Sequence, residues 1–495
     1  MIEVTTLSRF QRLEQHFSEF KSGIIGRDHA IFTPYGKKKL LYADWTASGR
    51  LYTPIEETLV NKFGPFVANT HTESNITGQT ITNGYHQALK IIKQHVNAYQ
   101  EDVILTSGTG MTDVVNKFQR ILGLKLPPNL KNQVMIADED RPVIFVTHME
   151  HHSNHTSWLE TIGEVVVIPP DEQGRVSVEA LTQLLIRYKN RKMKIASITA
   201  CSNVTGIITP YHRIAKVMHE HGGLCFVDFS CSAPYVKIEM HPEEPMEKLD
   251  AIFFSPHKFL GGPGTCGVLV FDSSLYSNDI PDHSGGGTVS WTNPWGGRKY
   301  VEDIQSKEDG GTPGFIQAIR TALAIKLKEK MGITNMLLRE EELLERLFTY
   351  LKNIPNIYIL DEEHRHRIGV VSFYIEDIHH NLVVRILNDR YGIQVRGGCS
   401  CAGTYGHYLL NIDQKTSKNI TDQIDTGNSF IKPGWVRVSL HPTMTDHEID
   451  YIGKSIKEIA ESMDLIKEHY RYIPEKNDFL HVDQIGMNIE SWFNI

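Results

Sequence analysis

The sequence predicts an α/β protein whose larger domain is a mostly parallel, mixed sheet covered by helices, and three observations predict it. From Val103 to Phe271 short apolar runs recur, most of them followed by a stretch of helical periodicity. The runs are continuous rather than alternating, as in strands buried on both faces. Beyond Arg320 the texture changes to a long charged helical stretch followed by further apolar runs, which predicts a second, smaller α/β domain.

Taken in order, "MIEVTTLSRFQRLEQHFSEF" reads as an amphipathic helix, and "KLLYADWTASG" as a short strand running into a loop of small residues. Then "VILTSGTG" precedes the helical "MTDVVNKFQRIL", "PVIFVTH" precedes "SNHTSWLETIG", "EVVVIPP" precedes "SVEALTQLLIRYK", and "KIASITA" precedes "YHRIAKVMHEHG". "LCFVDFS" and "AIFFS" close the series. The expected boundaries are 1–64 for the N-terminal helix and arm, 65–330 for the large domain and 331–495 for the small one, with a hinge near Met331. Within the small domain Thr404 to Gly434 is polar and rich in turn residues, so an inserted loop or flap is expected there. A C-terminal extension begins near Asp464.

Composition narrows the function. With 495 residues, 40% hydrophobic and 22% charged, the chain has the makings of a large globular core. A formal net charge of -8 argues against nucleic acid or an anionic membrane as the main partner and leaves small molecules as the default. The N-terminal stretch mixes charges throughout, so neither a secretory signal nor a membrane span is read there, and a cytoplasmic protein is expected. The six cysteines lack the spacing of a disulfide framework; only Cys399 and Cys401 form a close pair.

Ligands of such sheets bind beyond the carboxyl ends of the strands, which makes the polar residues there the candidates. Ser255-Pro-His-Lys258 fits S-x-x-K, but the partner motifs S-D-N and K-T-G are absent. Gly262 to Gly267 fits G-x-G-x-x-G yet precedes a strand instead of opening a helix, which rejects a dinucleotide fingerprint. The histidines from His148 to His155 match no zinc spacing and span a strand end and a helix start, so no metal is expected, only one or two rings lining a pocket.

Three other features share one rim. Gly108, Thr109 and Gly110 lie between a strand and a helix, where free backbone N–H groups suit a phosphate. Asp228 ends an apolar strand, where a carboxylate is costly unless a cation meets it. Lys258 follows the run Ala251 to Phe254 and precedes a glycine-rich turn, a setting for a nucleophilic lysine rather than a surface cation. A phosphate anchor, a carboxylate for a ring nitrogen and a lysine for a Schiff base are the needs of pyridoxal 5'-phosphate.

On these residues the sequence resembles the class V, fold type I, pyridoxal-phosphate enzymes, and within them the cysteine desulfurases and selenocysteine lyases. The likeness runs from "LYADWTASG" to "WVRVSLHPT". "TSGTGMTD" looks like the phosphate loop, "EHHSN" like the segment whose first histidine, His151, stacks on the ring, and "SNVTG" like the loop placing Asn203 beside the ring hydroxyl. "VDFSCSAP" supplies Asp228, and "SPHK" supplies Ser255 and His257 for the phosphate and Lys258 for the cofactor linkage. "GGGT" resembles the segment whose Thr288 reaches the phosphate of a partner subunit, which implies a homodimer. "VRGGCSCAG" matches R-x-G-x-x-C, aligning Arg396 and Cys401, and "WVRVSL" aligns Arg437 with the arginine that grips the substrate carboxylate. Cys231 stands where the family has a glutamine.

The resemblance implies a small amino-acid substrate, L-cysteine or L-selenocysteine, bound through Arg437 and Arg396. It implies Lys258 as base, a persulfide on Cys401 with alanine as product, and a sulfur-acceptor protein as a further partner. The alternative is another class V reaction, an aminotransferase, C–S lyase or epimerase, in which Cys401 is no nucleophile.

Overall fold

Seven apolar runs of the sequence pair into one mixed sheet in the order Val103–Ser107, Gly267–Phe271, Ala251–Phe254, Leu224–Asp228, Lys194–Thr199, Val143–Thr147, Glu164–Ile168. The computed structural model describes residues 9–70, 72–130, 133–484, 486 and 488–494. The chain groups into two units, one comprising Thr46–Asn203 and Ile207–Thr334, the other the chain up to Trp45, Val204–Gly206 and Asn335 onward. The sheet lies in the first.

From Ala251–Phe254 to Glu164–Ile168 neighbouring strands run parallel, whereas Gly267–Phe271 is antiparallel to both its neighbours. Every residue of Val143–Thr147 and of Lys194–Thr199 is buried, which is why these runs carry apolar residues on both faces instead of alternating. Helix Met111–Ile121 turns Val114, Val115, Phe118 and Ile121 inward at helical spacing. Phe118 meets the rings of Phe226 and Phe271 at 5.1 and 5.0 Å, joining helix to sheet. The directions of the strands bring the ends at Ser107, Thr147, Thr199, Asp228 and Phe254 to one edge of the sheet. Loops leaving that edge carry most of the candidate residues.

The second unit holds a four-stranded antiparallel sheet in the order Ile357–Ile359, Val370–Ile375, Trp435–Ser439, Arg396–Gly398. The strand expected at "KLLYADW" is Leu41–Tyr42, which pairs in parallel with Ile393–Gln394. The N-terminal helix is Arg9–Lys21, and Asp446–Ile466 starts at a capping box formed by Thr445 and Glu448. Gly332, with φ +81°, separates the consecutive helices Phe315–Met331 and Ile333–Leu351 along the chain.

The segment Thr404 to Gly434 differs from the expected loop: it carries helices Gly403–Leu409 and Gln414–Asp425. Its polarity reflects exposure, since Gln414–Asp425 buries no residue, and local bonds hold it. Asp413 caps the helix by accepting from Thr416 N at 2.7 Å, and Lys418 pairs with Asp422 one turn on at 2.8 Å. Among the described residues no helix is long and apolar enough to cross a membrane.

Candidate active site

After Val103–Ser107 the chain takes a left-handed turn at Gly108, φ +55°, where an added Cβ would fall 2.2 Å from Asp113 Cγ. Asp113 closes the turn by accepting from Thr109 N at 2.9 Å. Gly110 then caps helix Met111–Ile121, and Met111 N donates to Ser255 Oγ at 2.8 Å. Thr109 O lies 3.3 Å from His257 Nδ1, so that nitrogen carries the hydrogen. Burial, reinforced by the charge of neighbouring Lys258, lowers the pKa of His257 and favours the neutral ring. Gly108, Thr109, Gly110, Ser255 and His257 thus gather at one helix N-terminus.

Lys258 ends a single 3₁₀ turn, Pro256–Lys258, directly after strand Ala251–Phe254. The "TASG" arm braces this turn: Gly49 N donates to His257 O at 2.9 Å, and a Cβ at Gly49 would lie 1.8 Å from Phe259 O. The close approach of two backbones is the physical need that glycine meets there.

Asp228 is 4% exposed and accepts from Ser230 N at 2.8 Å. Burial raises its pKa, and the hydrogen bonds from Ser230, with a smaller pull from the charge of Lys258, bring it partly back. Ser230 Oγ lies 3.5 Å from Ser255 Oγ, so one short chain of hydroxyls runs from Asp228 to the helix N-terminus. His151 caps helix His152–Leu159, its Nδ1 accepting from Ser153 N at 3.1 Å, which leaves Nε2 as the protonated nitrogen of the neutral ring. Asn203 and Cys231 are buried, and Cys231 Sγ lies 3.6 Å from Ser202 O. Thr288 is fully buried and donates to Gly285 O at 2.7 Å.

Sequence reasoning passed over Glu150, the residue before His151. It is 1% exposed and collects four donors: Thr147 N at 3.2 Å, Thr147 Oγ1 at 2.7 Å, Asn154 Nδ2 at 2.8 Å and Thr199 N at 2.8 Å. It therefore ties two strand ends to helix His152–Leu159. A weaker form of the signal that singled out Asp228 was present in "PVIFVTHME", where the acid follows a buried, mostly apolar strand by three residues. Burial, with a smaller contribution from Asp228, pushes its pKa up to about 7. A carboxyl whose folded pKa lies above its unfolded one contributes stability at low pH that is lost as pH rises from the unfolded value through about 7. Glu150→Gln is expected to remove this dependence. The unfolding free energy of the wild type relative to the variant should fall by about 2–3 kcal/mol between about pH 4 and pH 8. Denaturant melts at the two pH values check it, and an unchanged difference would refute the buried-acid reading.

Arg396, Cys401 and Arg437 lie in the second unit. Arg396 and Arg437 sit directly opposite each other on paired strands, a juxtaposition of like charges that costs stability by itself. Asp44 relieves it, accepting from Arg437 Nη2 at 2.7 Å and from Arg396 Nε at 3.2 Å. Arg437 is 2% exposed, whereas Arg396 is exposed. Beyond Gly398 the chain makes a tight turn in which Ser400 and Cys401 both take left-handed φ, +52° and +56°. Such backbone costs about 1–3 kcal/mol per non-glycine residue and holds only where neighbours enforce it. Trp435 Nε1 donates to Ser400 Oγ at 3.2 Å and anchors the turn. Of the six cysteines four are buried, Cys399 is half-buried and Cys401 is exposed.

The residues of the first unit suit pyridoxal phosphate. A Cβ at Gly110 would stand 3.1 Å from Ser255 Oγ and 3.3 Å from His257 Cε1, so the missing side chain leaves room among donors at a helix N-terminus. Asp228, buried with one backbone donor, gains most from a cation placed against it, as a protonated ring nitrogen would be.

A family model described as Aminotransferase class-V matches residues 41–452. A probable cysteine desulfurase from Staphylococcus aureus (strain COL) is 30% identical over 373 residues, 74% of this chain and 84% of that protein. One from Staphylococcus epidermidis (strain ATCC 12228 / FDA PCI 1200) is 31% identical over the same shares. Among solved structures, the apo cysteine desulfurase of Thermococcus onnurineus NA1 aligns with a TM-score of 0.71 at 20% identity, covering 92% of this chain and 100% of that one. The Escherichia coli cysteine desulfurase CsdA, in its S-sulfonic acid form, aligns with a TM-score of 0.70 at 21% identity, covering 91% and 98%. At those identities the structural likeness establishes the fold, fold type I. The family match spans most of the sequence and the curated relatives agree with it: the chain belongs to the class-V aminotransferase family and is a pyridoxal-phosphate-dependent enzyme of the cysteine desulfurase-like kind.

Proposed function

We propose that the chain is a cysteine desulfurase that takes sulfur from L-cysteine, or selenium from L-selenocysteine, onto Cys401 and releases alanine. One observation carries the reading: Cys401 is the exposed cysteine, held on a left-handed turn that its neighbours enforce. The curated relatives named as probable cysteine desulfurases support the substrate class.

Bound pyridoxal phosphate supplies an electron sink for charge developing at the substrate Cα. Gly108, Thr109, Gly110, Ser255 and His257 are assigned to its phosphate, Asp228 to its ring nitrogen, His151 to its face and Asn203 to its ring hydroxyl. Arg437 binds the substrate carboxylate through its guanidinium fork, with Arg396 assisting. Lys258 Nζ takes the Cα proton. Cys401 Sγ, as thiolate, attacks the substrate sulfur; the S–S bond forms as the C–S bond breaks, its electron pair stays with Cβ, and protonation of Cβ followed by return of a proton to Cα completes alanine. The sulfur ends as a persulfide for an acceptor protein. The reading includes a homodimer in a cytoplasmic setting; for Thr288 to reach a partner's phosphate its hydroxyl must leave Gly285.

Cys401→Ser is expected to retain the absorbance change of the bound cofactor on adding L-cysteine, since binding and proton removal use other residues, and to form almost no persulfide. Cys399→Ser should keep most of the single-turnover persulfide. Mass spectrometry after brief exposure to L-cysteine without reductant should find the added sulfur on Cys401. Sulfide released with pyruvate and ammonia, and no alanine, by Cys401→Ser at the wild-type rate would instead identify a C–S lyase.

A further inference from the structure

Two segments of the second unit meet at the strand that leads into Cys399 and Cys401. One is a C-terminal hairpin, Tyr470–Ile473 paired with Asp478–His481, which lies beyond residue 452, where the family match ends. The other is the end of the Thr404 to Gly434 segment. His379 joins them: its ring centroid lies 5.0 Å from Phe430 and 5.3 Å from Phe479, and Phe430 meets Tyr472 edge-on at 5.0 Å. His379 also stacks at 4.3 Å on His380, the first residue of helix His380–Tyr391.

From that box two contacts reach the strand Arg396–Gly398. Asn381 Nδ2 donates to Asn477 O at the hairpin tip at 2.5 Å, and an added Cβ on Gly397 would fall 2.4 Å from Asn381 Oδ1. One amide thus links hairpin and strand backbone. His380, 6% exposed, sits where a Cβ on Gly434 would be, 2.6 Å from its Cε1, and that same Cβ would lie 2.8 Å from Gly398 Cα. Packing this close leaves the strand no slack.

We propose that the C-terminal hairpin is a clamp on the cysteine turn, with Asn381 and His380 as positioning residues that set how Cys399 and Cys401 are presented. The proposal rests on the reading of Cys401 as nucleophile for its catalytic consequence only. The clamp transmits through contact, so a shift of about 1 Å in the strand is enough to spoil an attack geometry and cost about a hundredfold in rate.

The test uses the full-length holoenzyme. Phe479→Ala opens the aromatic box; Asn381→Asp keeps the oxygen against Gly397 but removes the donor to Asn477 O. Two readouts follow each variant: the ratio of Cys401 to Cys399 labelling by brief iodoacetamide treatment with peptide mapping, and KM and kcat for alanine release from L-cysteine. The wild type should label Cys401 first. Both variants should lose most of that preference and about a hundredfold in kcat, with KM changed less than about twofold, and Phe479→Leu should restore both. Retained cofactor absorbance identifies a folded variant, and the two cut the linkage at different points, so either decides the matter. An unchanged labelling ratio in a folded variant overturns the clamp. A collapsed ratio with unchanged kcat leaves the clamp standing and overturns Cys401 as nucleophile.

Discussion

Lys258→Ala is expected to lower alanine formation from L-cysteine by about a hundred- to ten-thousand-fold, the range that a positioned proton-transfer group contributes. Lys258 sits between the end of strand Ala251–Phe254 and a turn pinned by Gly49, and its charge is felt by both Asp228 and His257. Borohydride reduction followed by peptide mapping should place the cofactor on Lys258 in the wild type and on no peptide in the variant. Lys258→Arg should not rescue turnover, because a guanidinium stays protonated and cannot accept the Cα proton. A cofactor label on another lysine, or turnover within tenfold of wild type in Lys258→Ala, would sink the assignment.

Arg437→Ala is expected to weaken amino-acid binding by about 2–5 kcal/mol, the usual cost of truncating one member of a buried charge pair. The variant also costs Asp44 its 2.7 Å partner, leaving it the 3.2 Å contact with exposed Arg396, a loss of stability rather than of affinity. Arg437→Lys should recover little, since a point charge replaces a fork suited to a carboxylate. Titration of the bound cofactor's absorbance with L-cysteine gives the affinities directly. Unchanged affinity in Arg437→Ala together with a large loss in Arg396→Ala would move the carboxylate site to the exposed arginine.

How much of this was legible in the sequence depends on the range of the signal. The strand "LCFVD" announces itself because burial on both faces demands continuous apolar residues, and the acid at its end stands out against that background. In "PVIFVTHME" the signal is weaker, because Glu150 stands three residues past the strand and within a run of histidines that hides it. The polar stretch Thr404 to Gly434 misled for a related reason: exposure strips the apolar face from a helix, so Gln414–Asp425 has no inward pattern to find and is held by its cap and a surface ion pair. Nothing local distinguishes it from a loop.

The sequence by itself determined the α/β class, the order of strands and helices along the larger unit and the cofactor, because each is written in residues near one another in the chain or in motifs at fixed spacing. Only the tertiary structure decided which charges share a partner and what the C-terminal extension touches. Asp44 and Arg396 are separated by 352 positions and Asn381 and Asn477 by 96. Helical and strand periodicity reports the burial of a face over a few neighbouring residues, whereas a hydrogen bond between remote residues leaves no trace in the composition around either one.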